Sequence, residues 1–100
     1  MANIRNNNTY YVDSTGTLAT NVKNAKIVYI LFTTAAAGDE LTLRDTDGSG
    51  ALKLTIKHQT ADNTHLFDFS ANPLVFPNAI HVDTITAGAV ATLVLKSGEA

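Results

Sequence analysis

The sequence predicts an all-β domain: a single compact, jelly-roll-like β-sandwich of seven or eight short antiparallel strands with an extended N-terminal arm. Three observations lead there. β-branched and aromatic residues gather in brief runs. Several of these runs alternate apolar with polar residues at period two. Clusters of Asp, Asn, Gly, Ser and Pro interrupt them at intervals of roughly twelve residues, the spacing of sandwich and barrel domains.

Residues 1 to 8 end in Asn6-Asn7-Asn8, which favours turns and offers nothing to bury, so this stretch is expected as the arm and residues 9 to 100 as the sandwich. The arm either docks on its own domain or reaches a neighbouring subunit. Tyr10-Tyr11-Val12 suits a short strand before the turn cluster Asp13-Ser14-Thr15-Gly16. Between Leu18 and Ala25 the spacing of Leu18, Val22 and Ala25 is helical but the intervening Thr and Asn are not helix formers, and a loop or a single helical turn is expected.

Lys26 to Thr33 is a continuous run of β-branched and aromatic residues, predicted as the central strand and apolar on both faces. Ala35 to Asp39 breaks it. Leu41 and Leu43 then alternate with Thr42 and Arg44, and Leu52, Leu54 and Ile56 alternate with Lys53, Thr55 and Lys57. These two segments read as a hairpin around Asp45-Thr46-Asp47-Gly48-Ser49-Gly50, whose glycines are expected to supply positive φ angles.

After a turn at Thr60 to Thr64, Phe67 and Phe69 share one face, and Ser70 to Pro73 closes that strand. Leu74-Val75-Phe76 is brief and ends at Pro77. Ile80 and Val82 point one way while Ile85 breaks the alternation, which predicts a bulge or strand end near Asp83-Thr84. In Ala89 to Lys96, Ala91, Leu93 and Leu95 alternate with Val90, Thr92 and Val94.

Composition narrows the function. One hundred residues suffice for one core and no second domain. Hydrophobic residues make up 45% and charged residues only 16%, below the roughly 25% typical of soluble domains, which suits either a surface packed against neighbours or an ordinary threonine-rich β surface. A net charge of -2 with scattered Lys and Arg offers no stripe to neutralise phosphates, and nucleic-acid binding is not expected. Cysteine is absent, which rules out disulfides and thiolate metal sites. The polar start is unlike an export signal, and no window approaches eighteen uninterrupted apolar residues, so neither export nor a membrane anchor is expected.

Candidate chemistry is sparse. Asp45 to Gly50 matches the first half of a calcium loop, but Ile56 stands where a bidentate glutamate belongs, and a plain turn held by Asp side chains is the better reading. His58, His65 and His81 lack metal-ligand pairing, although His58 and His65 could meet across a hairpin, and a symmetric trimer could triple a single axial histidine. No nucleophile elbow, thiolate or phosphate cradle is present, so neither enzymatic activity nor a cofactor is expected. Adjacent Tyr10 and Tyr11 point to opposite faces and cannot form one sugar-binding platform.

The Asn-rich start, Leu31-Phe32-Thr33-Thr34-Ala35-Ala36-Ala37-Gly38-Asp39-Glu40-Leu41-Thr42-Leu43-Arg44-Asp45, Phe67-Asp68-Phe69-Ser70 and Val82-Asp83-Thr84-Ile85-Thr86-Ala87-Gly88-Ala89 together resemble the small virion structural proteins of tailed bacteriophages. The likeness covers nearly the whole chain but is one of texture, with no diagnostic motif. It implies a decoration or cement protein on the capsid surface, packing as a homo-oligomer, a trimer favoured, on the major capsid protein or another virion protein. The alternative is a small tail or head-fibre component that binds a host glycan or protein, and a lectin-like or scaffold domain of bacterial origin stays open. For an assembling protein the candidate interface residues are Asn3, Ile4, Arg5, Asn6, Asn7, Asn8, Tyr10 and Tyr11 of the N-terminal segment, with Val28 and Ile30 of the central strand.

Overall fold

A computed structural model describes residues 4–18, 20 and 23–97. Ten strands lie among them: β1 (Ile4–Asn6), β2 (Thr9–Val12), β3 (Gly16–Leu18), β4 (Ala25–Thr33), β5 (Asp39–Asp45), β6 (Leu52–His58), β7 (Thr64–Asp68), β8 (Leu74–Phe76), β9 (Ile80–Ile85) and β10 (Val90–Leu95). No helix occurs among the described residues. The count exceeds the predicted seven or eight because three-residue strands such as β1 and β3 are too short to show a period. Of the stretch Leu18 to Ala25, for which a loop or helical turn is expected, residues 20, 23 and 24 belong to no strand or helix, while its two ends close β3, paired with Ile80 to Val82, and open β4; residues 19, 21 and 22 lie outside the described residues.

The strands form two antiparallel sheets. One runs β1-β2-β10-β4-β7, with β8 also paired to β4, and the other runs β3-β9-β5-β6. The pairings nest: β5 with β6, β4 with β7 and β8, β3 with β9, and β2 with β10. That is one long hairpin folded over on itself. The folding adds the contacts of β10 with β4 and β5 with β9, and the outcome is the double Greek key of a jelly roll.

The core lies between the sheets and is filled by alternate residues of each strand, with Phe32, Phe76, Ile27, Leu41, Leu43 and Leu93 fully buried. Burying each such side chain contributes about 1.5–3 kcal/mol. Both ends of β5 are fixed by buried carboxylates that accept backbone hydrogen bonds. Asp39 Oδ2 takes the N–H groups of Ala35 (2.7 Å) and Ala36 (2.9 Å). Asp45 Oδ1 takes those of Asn78 (2.9 Å) and Ala79 (3.3 Å), and its Oδ2 accepts from the Asn78 side chain.

Three bulges set which residues face out, and the one between β5 and β6 leaves Lys53 as the extra residue, since Leu43 pairs with Leu54 and Arg44 with Leu52. Opposite β10, Tyr29 pairs with Val94 and Ile27 with Leu95, leaving Val28 as the extra residue. Opposite β5, Val82 pairs with Leu43 and Thr84 with Thr42, leaving Asp83 as the extra residue, where the broken alternation had placed it.

β5 and β6 form the predicted hairpin, with Leu41 paired to Ile56 and Leu43 to Leu54, but Leu52, expected in the same apolar alternation, lies opposite Arg44 and is 54% exposed, and the positive φ belongs to Thr46 (73°) and not to a glycine. Gly50 is needed for another reason: a Cβ there would overlap the carbonyl of Asp45.

The segment expected as an extended arm is part of the fold where it is described. Residues 4–6 form β1, an edge strand paired Ile4 to Tyr11, Arg5 to Tyr10 and Asn6 to Thr9, with Asn7 turning the chain at a φ of 56°. Asn8 ties this hairpin to β10, its side chain donating to the Leu95 carbonyl (2.9 Å) while its own carbonyl accepts from Leu95 N–H (2.8 Å). Asn3 lies outside the described residues.

Candidate functional site

The two outer faces of the sandwich differ in kind. In the four-stranded sheet, Leu41 and Leu43 face the core, so Glu40, Thr42 and Arg44 face out, Thr42 covered to 7% exposure, joined by Lys53, Thr55 and Lys57 of β6 and by His81 and Asp83 of β9. Glu40 lies across from Lys57. Arg44 donates to Asp83 (Nε to Oδ2, 3.0 Å) and to the Gly50 carbonyl (3.1 Å), bracing β9 and the hairpin loop together. Thr17 Oγ1 lies 2.9 Å from His81 Nδ1, and His81 Nε2 is 3.8 Å from Asp83.

The order Thr17, His81, Asp83 echoes nucleophile, base and orienting acid. The geometry does not, because 3.8 Å is beyond hydrogen-bond reach and Asp83 is already engaged by Arg44. This face is a solvated, ion-paired surface.

The outer face of the larger sheet is of another kind. Tyr11, Thr92, Leu31 and Leu66 stand directly opposite one another across β2, β10, β4 and β7, forming one row at right angles to the strands. Tyr11 is 47% exposed, Leu31 37% and Leu66 59%. One neighbouring row holds Val90, 45% exposed, with Thr33 and Thr64, whose hydroxyls are 2.8 Å apart. The other holds Thr9, Val94, Tyr29 and Asp68.

Asp68 is the one charged side chain in these three rows. Hydrogen bonds from the side chain and backbone N–H of Ser70 hold its carboxyl below the ordinary value of 3.8. Lys26 lies beyond the rows, at the start of β4, with its Nζ 3.3 Å from the Asn24 carbonyl. Exposed apolar side chains scattered singly need no explanation, whereas this contiguous row on an almost uncharged sheet face is the candidate functional site. Leu52, 54% exposed on the opposite side, is a single residue at a strand end.

The predicted interface residues divide. Tyr11 lies in the exposed row, Val28 is half-buried at the bulge, and Asn7 is exposed in the β1–β2 turn. Tyr10 (5% exposed) and Ile30 (fully buried) belong to the core, in an inner row with Leu93 and Phe67, and are corrected from the interface to the interior. Ile4, Arg5 and Asn6 are placed by their backbone pairing alone, and Asn8 serves as the internal tie already described.

In a regular strand residues two apart, such as Val28 and Ile30, share one face. The extra residue at the bulge shifts that parity, so beyond it the outward residues are Tyr29, Leu31 and Thr33. Leu66 and Val90 carried a sequence signal only as apolar members of strands whose inward set was Phe67 and Ala91.

His58 and His65 do meet, as the sequence allowed, but between sheets and not across a hairpin. Their rings stack with centroids 3.6 Å apart where β6 hands over to β7. No group of three or more metal-ligating side chains exists among the described residues. No helix among them is long and apolar enough to cross a membrane. No known protein family, curated protein or solved structure matches the chain.

Proposed function

We propose that the chain is a non-enzymatic structural component of a tailed-bacteriophage virion, a decoration or cement protein that acts as a symmetric oligomer on the major capsid protein. The observation that carries this reading is the sidedness of the sandwich. One outer face carries an ion pair and charged side chains, while the other presents the Tyr11-Thr92-Leu31-Leu66 row with Asp68 as the one charge in it and the two rows beside it. Such a face is suited to burying area against protein, which is how a cement protein strengthens a shell. The jelly-roll order recurs in capsid and lectin domains, and this fold-level analogy adds weight without deciding between them.

The test is the chain's position on phage particles from the strain that carries its gene, located by antibody labelling and counted by quantitative mass spectrometry. Hundreds of copies spread over the shell, lost on Leu31→Lys or Leu66→Lys, is the expected result. A few copies at one vertex gives the tail or head-fibre role instead. Absence from particles overturns the virion reading.

A further inference from the structure

The apolar face has one occupant that its own residues specify. We infer that it packs face to face on a second copy of this chain, about a twofold axis that lies in the plane of contact, parallel to the strands and between β10 and β4. The inference rests on the docking role proposed above for this face and names its partner.

The order of side chains in the central row is the argument. Along it stand a large aromatic (Tyr11), a small residue (Thr92), a large aliphatic (Leu31) and another large aliphatic (Leu66). The stated axis reverses the row in the second copy. Leu31 of each copy then faces the low point at Thr92 of the other, and Tyr11 faces Leu66.

Neighbouring rows follow the same rule. Val90 meets Thr33, Val94 meets Tyr29, and the single carboxylate, Asp68, meets the Thr9 hydroxyl and not its own twin. An axis at right angles to the strands through the central row instead stacks Tyr11 on Tyr11, Leu66 on Leu66 and Leu31 on Leu31, bulk against bulk. Self-complementarity of this kind is what an isologous contact requires.

Area bounds the strength. Five strands about 4.8 Å apart and three to nine residues long, at about 3.3 Å per residue, make a face of roughly 430 Å². A pair buries roughly 860 Å² of projected area, below the roughly 1,200 Å² at which standard stable interfaces begin, so the dimer is weak and reversible. The opposite face is a poor alternative for self-association, because Arg44, Lys53, Lys57, Glu40 and Asp83 would have to be desolvated together.

Sedimentation equilibrium of the full chain over a wide concentration range, with circular dichroism to verify folding, provides the test. The expected result is a monomer–dimer equilibrium that Leu66→Lys weakens by at least about tenfold. Thr92→Leu and Leu31→Thr each weaken it as single changes, the first by a clash and the second by a gap. Combined in one chain they exchange knob and hole and restore the dimer.

A monomer up to millimolar concentration overturns the inference, and so does a dimer or trimer insensitive to residues 31, 66 and 92. Failure of the double exchange to restore association refutes the stated axis. A monomer that still coats particles sinks the inference alone, whereas an intact dimer absent from particles sinks the virion reading alone.

Discussion

His58 of β6 and His65 of β7 stack with ring centroids 3.6 Å apart and planes inclined by 26°, joining the exposed edge of one sheet to the edge of the other. The pair sits at one end of the core. His58 Nδ1 accepts the Thr60 N–H at 3.1 Å, and the buried Thr34 hydroxyl donates to the Thr60 carbonyl, so the turn between the sheets is held from both sides. A stacked aromatic pair contributes about 1 kcal/mol beyond its burial. A double-mutant cycle with His58→Ala and His65→Ala, followed by urea denaturation, is expected to return a coupling of about that size. Additive losses would show that the two rings merely share a neighbourhood.

That contact illustrates what was legible in the sequence. Alternation marked the β5–β6 hairpin and separated Ala91, Leu93 and Leu95 from Val90, Thr92 and Val94, while the residue pairs and the buried set of β10 come from the fold. Turn residues gave most strand ends. Contacts between sheets, such as His58 on His65, depend on how the long hairpin folds over, and nothing local encodes that. The outer face of the larger sheet was less legible for a related reason. Ile30 faces the core because one extra residue at Val28 reverses every side chain after it.

Gly50 and Gly48 share a loop and are expected to respond oppositely to alanine. A methyl group at Gly50 would overlap the Asp45 backbone carbonyl, which cannot move without disturbing the Asp47 N–H that it accepts at 2.9 Å and the end of β5 that it belongs to. At Gly48 the nearest atom is Asp83 Oδ1 at 3.5 Å, an ordinary contact. Gly50→Ala should cost roughly 2 kcal/mol or more and Gly48→Ala less than about 0.5 kcal/mol, read from thermal or urea melts. Equal losses would mean that the loop adapts freely.

The carboxyl of Asp45 is held below its ordinary value of 3.8, first by the Asn78 backbone N–H and then by the Asn78 side chain, Ala79 and Thr46. Desolvation opposes this shift without reversing it. A carboxyl with a lowered folded value stabilises the fold at every pH above 3.8, and that stability disappears as the pH falls through the lowered value. The urea midpoint of the wild type should therefore fall more steeply below pH 3.8 than that of Asp45→Asn. Above that pH the variant should be the less stable of the two. Parallel midpoint curves for the two proteins would remove Asp45 as a source of acid sensitivity.

Deleting Val28 tests whether the bulge or the run of apolar residues sets the register of β4. With the bulge present, Ile27 and Ile30 both face the core although they are three apart. Removing Val28 leaves them two apart, which a regular strand also places on one face. The Phe69 N–H, which now donates to the Val28 carbonyl at 2.7 Å, then has the Ile27 carbonyl in reach. The deletion should fold cooperatively at a loss of roughly 1–3 kcal/mol. Deleting Leu31, three positions later in the same strand, leaves no such solution. Ile30 and Phe32 become adjacent and one of two fully buried side chains must turn outward, so this variant is expected not to fold. Circular dichroism melts of the two deletions decide the matter. If the Val28 deletion is the one that fails, the bulge is required by the twist of the sheet, and register is not what it provides.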